Sequence, residues 1–212
     1  MSIADKLTTV AENMPQVYEA GQKAEYDKFW EVFQDGDKIQ NYYYAFAVGR
    51  FNDTTYNPKY PIRCSSGTTP GRNMFYNSQI TDTKVAIYAN NNNLYQAFNN
   101  ATALKTIRLL NVYESTTFDA TFTQCTSLKD ITMDGVIGQS FDIRHSPLTT
   151  ASIVSIIEHL STTASGKALT LNTNAVNKMT FPYTSTQSGV TYNTWDELIS
   201  IRSNWNISKV SA

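Results

Sequence analysis

Six apolar positions, Leu94, Phe98, Leu104, Ile107, Leu109 and Val112, recur 24 residues later as Phe118, Phe122, Leu128, Ile131, Met133 and Val136. Between them the phrases AFNNATALKTIRL and TFTQCTSLKDITM align without a gap. A unit of this length cannot bury its apolar side alone, so such copies are expected to stack. Thr106-Ile107-Arg108-Leu109 and Asp130-Ile131-Thr132-Met133 alternate polar and apolar, the pattern of a half-buried strand. Each copy thus predicts a turn opened by phenylalanine, then a leucine, then a short strand.

Weaker phrases extend the pattern. Val85 to Tyr88, Phe141 to Ile143, Ala168 to Leu171 and Asn206 to Ser208 read as further strands. Ile153, Ile156, Ile157 and Leu160 fall at i, i+3, i+4 and i+7, predicting a helix capped by Thr149 or Thr150. A last helix is expected over about 194–203, carrying Trp195, Leu198, Ile199 and Ile201.

The first 35 residues have a different period. Ile3, Leu7, Val10, Met14 and Val17 are spaced as a short heptad seam, with Ser2 as a plausible N-cap and Asp5 in the first turn. Pro15 kinks this helix or begins a second one. Two readings stay open: packing on the chain's own core, or a short oligomerising coil. Residues 36–80 are aromatic and aperiodic, with turns at Asn57-Pro58 and Gly67 to Gly71. They suit a cap over a larger core, or an aromatic binding face. The expected division is therefore 1–35, a helix; 36–80, an irregular capping segment; and 81–212, the repeat unit with its C-terminal cap.

Charge narrows the function classes. Seventeen basic and 18 acidic residues leave a net charge of −1, which argues against binding to nucleic acid or an anionic membrane by bulk charge. No apolar run approaches the roughly 18 residues of a membrane span, and the opening Met-Ser-Ile-Ala-Asp-Lys is not that of a secretory signal. Thr, Asn and Ser make up 64 of 212 residues while charged residues are 17%, so the surface relies on neutral hydrogen-bonding groups.

The repeated phrases resemble the bacterial surface-antigen (Treponema-type, BspA-like) leucine-rich repeat, whose core reads roughly A-F-x-x-C-x-S-L-x-x-I. Ala97, Phe98, Leu104 and Ile107 match in one copy, and Phe122, Cys125, Ser127, Leu128 and Ile131 in the next. Thr121 stands for the alanine, and Ala101 for the cysteine of the first copy, which makes Cys125 a packing residue. The whole layout is similar to a group of small prophage-encoded proteins of gut Firmicutes. It shares their opening IADKLTTVAENMPQVYEAGQKAEYDKFW, their aromatic FNDTTYNPKY and the tail SPLTTASIVSIIEHL, but has Ser203-Asn204-Trp205 where relatives turn through Lys-Gly-Trp. The resemblance implies an α/β fold: a short leucine-rich-repeat-like solenoid with parallel strands, preceded by the N-terminal helix and aromatic cap and closed by a helical C-terminal cap. It also implies a phage tail context, hence a virion or extracellular location after release from the bacterial cytoplasm.

Motifs for catalysis are missing. GxSxG, GxxxxGK[ST], GxGxxG and HExxH do not occur. His145 and His159 lack a matched third ligand, so no metal or cofactor is expected. Cys64 and Cys125 have no CxxC spacing, and nothing beside Cys64 makes it a nucleophile. Among Asp119, Asp130, Asp134 and Asp142, the pair Asp130 and Asp134 flanks one strand and is best read as a solvated edge. The leading expectation is a non-enzymatic interaction protein. Its partner would be a protein or glycan of a bacterial surface, or another tail protein, with Thr106, Arg108, Asp130 and Thr132 as the outward strand positions. A purely structural virion subunit and a cell-surface adhesin are the alternatives. Ile3, Leu7, Val10, Met14 and Val17 are the candidate oligomerisation residues.

Overall fold

Stacked phenylalanines organise the core. In the computed structural model, which describes residues 62–64, 72–87, 92–110 and 115–211, the rings of Phe75 and Phe98 lie 5.3 Å apart and those of Phe98 and Phe122 5.5 Å apart, both nearly coplanar. Phe141 closes the column edge-on to Phe122 at 5.7 Å. All four rings are fully buried. Phe75, Phe98 and Phe122 each sit midway between two left-handed residues: Asn73 and Asn77, Gln96 and Asn100, Ala120 and Gln124, with φ from 50° to 61°. Asparagine tolerates that region better than most residues. Backbone bonds then tie turn to turn at every second residue: Phe75 N to Ala97 O at 2.7 Å, Phe98 N to Thr121 O at 3.0 Å, Asn100 N to Thr123 O at 2.8 Å. Amides add a second ladder, Asn73 Nδ2 donating to Gln96 Oε1 (3.2 Å) and Asn100 Nδ2 to Asn77 Oδ1 (2.7 Å).

The first sheet comprises β1 (Ile62–Cys64), β2 (Asp82–Ile87), β4 (Thr106–Leu110) and β6 (Asp130–Met133), in that order and parallel throughout; β3 (Asn92–Asn93) pairs instead with β5 (Ser115–Thr117). The 24-residue spacing reappears as register, because Asp82 faces Thr106 and Thr106 faces Asp130. Inward residues Ile107, Leu109, Ile131 and Met133 join the phenylalanine core.

Helix α1 (Thr150–Glu158) ends this ladder. Its cap residue Thr149 donates its backbone N–H to Lys129 O at 2.9 Å, and the Ser152 hydroxyl accepts from Ile131 N at 3.0 Å. Those are the groups of β6 to which a further strand would bond. Ile153, Ile156 and Ile157 enter the core from the same helix.

A third sheet holds β7 (Phe141–Asp142), β8 (Lys167–Asn172) and β11 (Trp205–Val210), parallel in the order β7-β8-β11. Between β8 and β11 lie α2 (Thr173–Asn177), the antiparallel pair β9 (Tyr183–Thr184) and β10 (Thr191–Tyr192), and α3 (Trp195–Ser200). A parallel bridge between Phe118 and Phe141 links the second sheet to the third.

This arrangement corrects the expected solenoid. The described residues form a mixed α/β structure of four small sheets, one of them antiparallel, rather than one continuous repeat stack. The constant spacing lasts only to Met133; paired residues are then 28 apart from Phe141 to Leu169 and 38 apart from Leu169 to Ile207. The physical reason is insertion: α1, then α2, the hairpin and α3, occupy chain that a repeat would have spent on identical turns. The last element is strand β11, not a helical cap. Val136 is a second correction. Its repeat position was apolar, yet it is 45% exposed, because Gly135 at φ 92° turns the chain and Ile137 goes inward instead. Ile137 bridges to Leu160, donating to His159 O at 2.7 Å and accepting from Ser161 N at 2.9 Å.

Candidate functional site

The register of β4 and β6 sets the four outward candidates in a two-by-two array. Thr106 faces Asp130, and Arg108 faces Thr132. The strand residues that alternate with them, Ile107, Leu109, Ile131 and Met133, are buried, so the four side chains stand on the solvent side of the sheet, with Arg108 and Thr132 exposed. The other two are held. Thr106 donates its hydroxyl to Asp82 Oδ1 at 2.5 Å, and Thr149 donates to Asp130 Oδ1 at 2.8 Å. Asp130 is thus engaged with the cap of α1 rather than coupled to Asp134. The array is a flat polar patch with a fixed carboxylate and a cation, Arg108, that has no partner among the described residues.

A concave feature lies where the second and third sheets meet. A groove of about 330 Å³ is lined by Thr117, Asp119, Gln139, Ser140, Asp142 and Thr170, over the buried rings of Phe118 and Phe141. These rings meet edge to face at 5.0 Å. The polar residues flank the inward ones: Thr117 and Asp119 flank Phe118, Ser140 and Asp142 flank Phe141, and Thr170 follows Leu169. Asp142 is clamped by Arg144, whose Nη2 donates to Oδ2 at 2.7 Å and whose Nε donates to both oxygens at 3.0 and 3.1 Å. This bond raises the Arg144 pKa above its ordinary value. Sequence reasoning noted Asp119 and Asp142 separately and did not bring them together. The available signal was the dipeptide Phe-Asp at 118–119 and again at 141–142.

His159 and Cys125 have structural partners. His159 Nδ1 lies 2.6 Å from Ser155 O, and since a carbonyl only accepts, Nδ1 carries the proton. Its Nε2 then accepts from Gln187 Nε2 at 2.8 Å, while Gln187 Oε1 accepts from the Ser155 hydroxyl at 3.2 Å. Glu158 receives three hydroxyls, from Ser185 (2.8 Å), Ser188 (2.5 Å) and Tyr192 (2.9 Å), which fastens the β9–β10 hairpin to the end of α1. Burial, aided by that carboxylate, pushes the Tyr192 phenol up to about 12. Cys125 is fully buried, and desolvation pushes its thiol up to about 12, so it stays protonated at neutral pH.

Among the described residues no group of three or more His, Cys, Asp or Glu is arranged to hold a metal ion, and no helix is long and apolar enough to cross a membrane. The proposed oligomerisation residues Ile3, Leu7, Val10, Met14 and Val17 lie outside the described residues. No family model matches the chain, and no curated protein or solved structure matches it either.

Proposed function

We propose that this chain is a non-enzymatic interaction protein that binds a protein or glycan partner through the outward face of its first sheet. The observation that carries this reading is the in-register array of Thr106, Arg108, Asp130 and Thr132. Two of the four are already immobilised by Asp82 and Thr149, so little ordering entropy remains to be lost when a partner docks. Hydroxyl, guanidinium and carboxylate together offer donors and acceptors without a strong net charge. That suits a polar partner rather than nucleic acid. The resemblance to prophage-encoded chains favours a tail-associated role, with the partner on a bacterial surface or in the tail itself.

The test is binding of fluorescently labelled full-length protein to intact gut Firmicute cells and to their isolated walls. The double variant R108A/T132A removes the two exposed members and leaves both anchoring bonds in place. It is expected to reduce retention by about tenfold or more, a change worth roughly 1.4 kcal/mol. Unchanged retention by the quadruple alanine variant removes the strand face from consideration.

A further inference from the structure

We propose that the groove at the junction of the second and third sheets is a separate binding site for a neutral saccharide. It goes beyond the strand-face reading and does not depend on it. The first argument is shape: a hollow of about 330 Å³ falls at the small end of ligand pockets, enough for a short oligosaccharide segment.

The second argument is the state of each polar group. Asp119 is exposed, and among the described residues its carboxylate has no hydrogen-bond or ion-pair partner, so both oxygens are open acceptors. One carboxylate can accept from the two hydroxyls of a vicinal diol, and charge-assisted bonds of this kind are the strong ones. Gln139 Oε1 is taken by Lys167 Nζ at 2.9 Å, which fixes the amide and leaves its N–H groups as donors. Ser140 Oγ accepts from Ala168 N at 3.1 Å, so its own hydrogen remains to donate. Asp142 is neutralised by Arg144 and serves as wall rather than ligand. The groove therefore presents one open carboxylate beside pre-set neutral donors, the complement of a sugar's paired hydroxyls and ring oxygen.

The third argument is what this chemistry rejects. An anionic sugar would meet the Asp119 carboxylate, while the two cations at the groove are already engaged, Lys167 with Gln139 and Arg144 with Asp142. A metal would find one open carboxylate, and among the described residues no group of three ligands to join. An apolar ligand gains little, because Phe118 and Phe141 are buried beneath the floor. Beyond Asp119 stands Tyr95, bracketed by bonds from Leu94 N to Thr117 O and from Gln96 N to Asp119 O. Its half-buried ring has the Arg72 guanidinium 4.9 Å from its centroid.

Amide and nitrogen NMR spectra of the full chain, titrated with maltotriose, with triacetylchitotriose and with trigalacturonate, test the assignment. Saturable shifts confined to residues 117–119 and 139–142 are expected with at least one neutral trisaccharide and not with the acidic one. D119A is expected to weaken that binding about tenfold or more, the loss of a hydrogen bond to a charged group. R108A/T132A is expected to leave it unchanged. D119N, which keeps the shape and removes the charge, is expected to fall between. No saturable shift at these residues with either neutral sugar overturns the proposal, as does tighter binding of trigalacturonate or binding that D119A leaves intact. Failure of the strand-face reading shows instead as R108A/T132A retention on cells, so the two outcomes are separable.

Discussion

The Cys125 thiol donates to the carbonyl oxygen of Phe98, 27 residues earlier, at 3.0 Å. One position set of the same turn repeats the geometry, since the Thr121 hydroxyl donates to Leu94 O at 2.8 Å across the same separation. The two bonds stitch successive turns from inside the core, each hydroxyl or thiol sharing a carbonyl that also accepts a backbone N–H of its own turn, Ala101 N on Phe98 O and Ala97 N on Leu94 O. Cys125, which the repeat marks as a packing residue, is also a cross-turn fastener.

Its chemistry can be checked directly. With the thiol at about 12 against an ordinary 9.0, thiolate is scarce at pH 8, and Cys125 is expected to resist alkylation in the native chain. Peptide mapping after iodoacetamide treatment should find Cys125 unmodified natively and fully modified in guanidinium. Fast native labelling of that peptide would contradict the assignment.

Alkaline stability follows from Cys125 and Tyr192 together. Both groups have folded values raised to about 12, from 9.0 and 10.0 respectively. Between those limits the native state holds more protons than the unfolded state, so stability falls as pH rises. The contribution is fully present below pH 9 and is lost towards pH 12. Urea midpoints measured across this range should decline, and the decline should be shallower for Y192F.

The phenylalanine column is the main source of packing energy. Phe98 is fully buried between two parallel rings, so F98A is expected to cost about 3–5 kcal/mol in urea unfolding. F98L, which refills most of the volume, should cost distinctly less.

Thr149 has two tasks. Its hydroxyl caps α1 by accepting from Ser152 N and also donates to Asp130. T149A is expected to destabilise by about 1–2 kcal/mol, and T149S to recover most of the loss. Equal stability of all three would mean the cap does not hold the helix against β6.

Arg202 joins the last helix to the first. Its guanidinium donates to Leu160 O at 2.6 Å, to Ile201 O at 2.8 Å and to Glu158 O. Lysine keeps the charge but not the planar fork. R202K is expected to lower stability by about 1–3 kcal/mol through orphaned carbonyls, read as a lower thermal midpoint.

Legibility in the sequence follows distance along the chain. The helix read from Ile153, Ile156, Ile157 and Leu160 spans Thr150–Glu158 with Thr149 as its cap, because both signals are local. The strand over Thr106–Leu110 was equally readable from alternation. A third turn was missed. Met74-Phe75-Tyr76-Asn77 matches Ala97-Phe98-Asn99-Asn100, but a one-residue shortening before β2 hid the register among the aromatics of 36–80. The groove was missed because Asp119 and Asp142 meet only through the Phe118–Phe141 bridge.

By itself the sequence determined the repeated turn, the period of its strands and the inward residues, since each depends on a constant spacing that the chain carries in its own order. Only the tertiary structure decided where repetition stops, how three hydroxyls converge on Glu158 and where the sheets leave a groove. Those contacts join residues 23 to 34 positions apart, and the three on Glu158 follow no common spacing. Nothing in their local order distinguishes them until the packed helices bring them together.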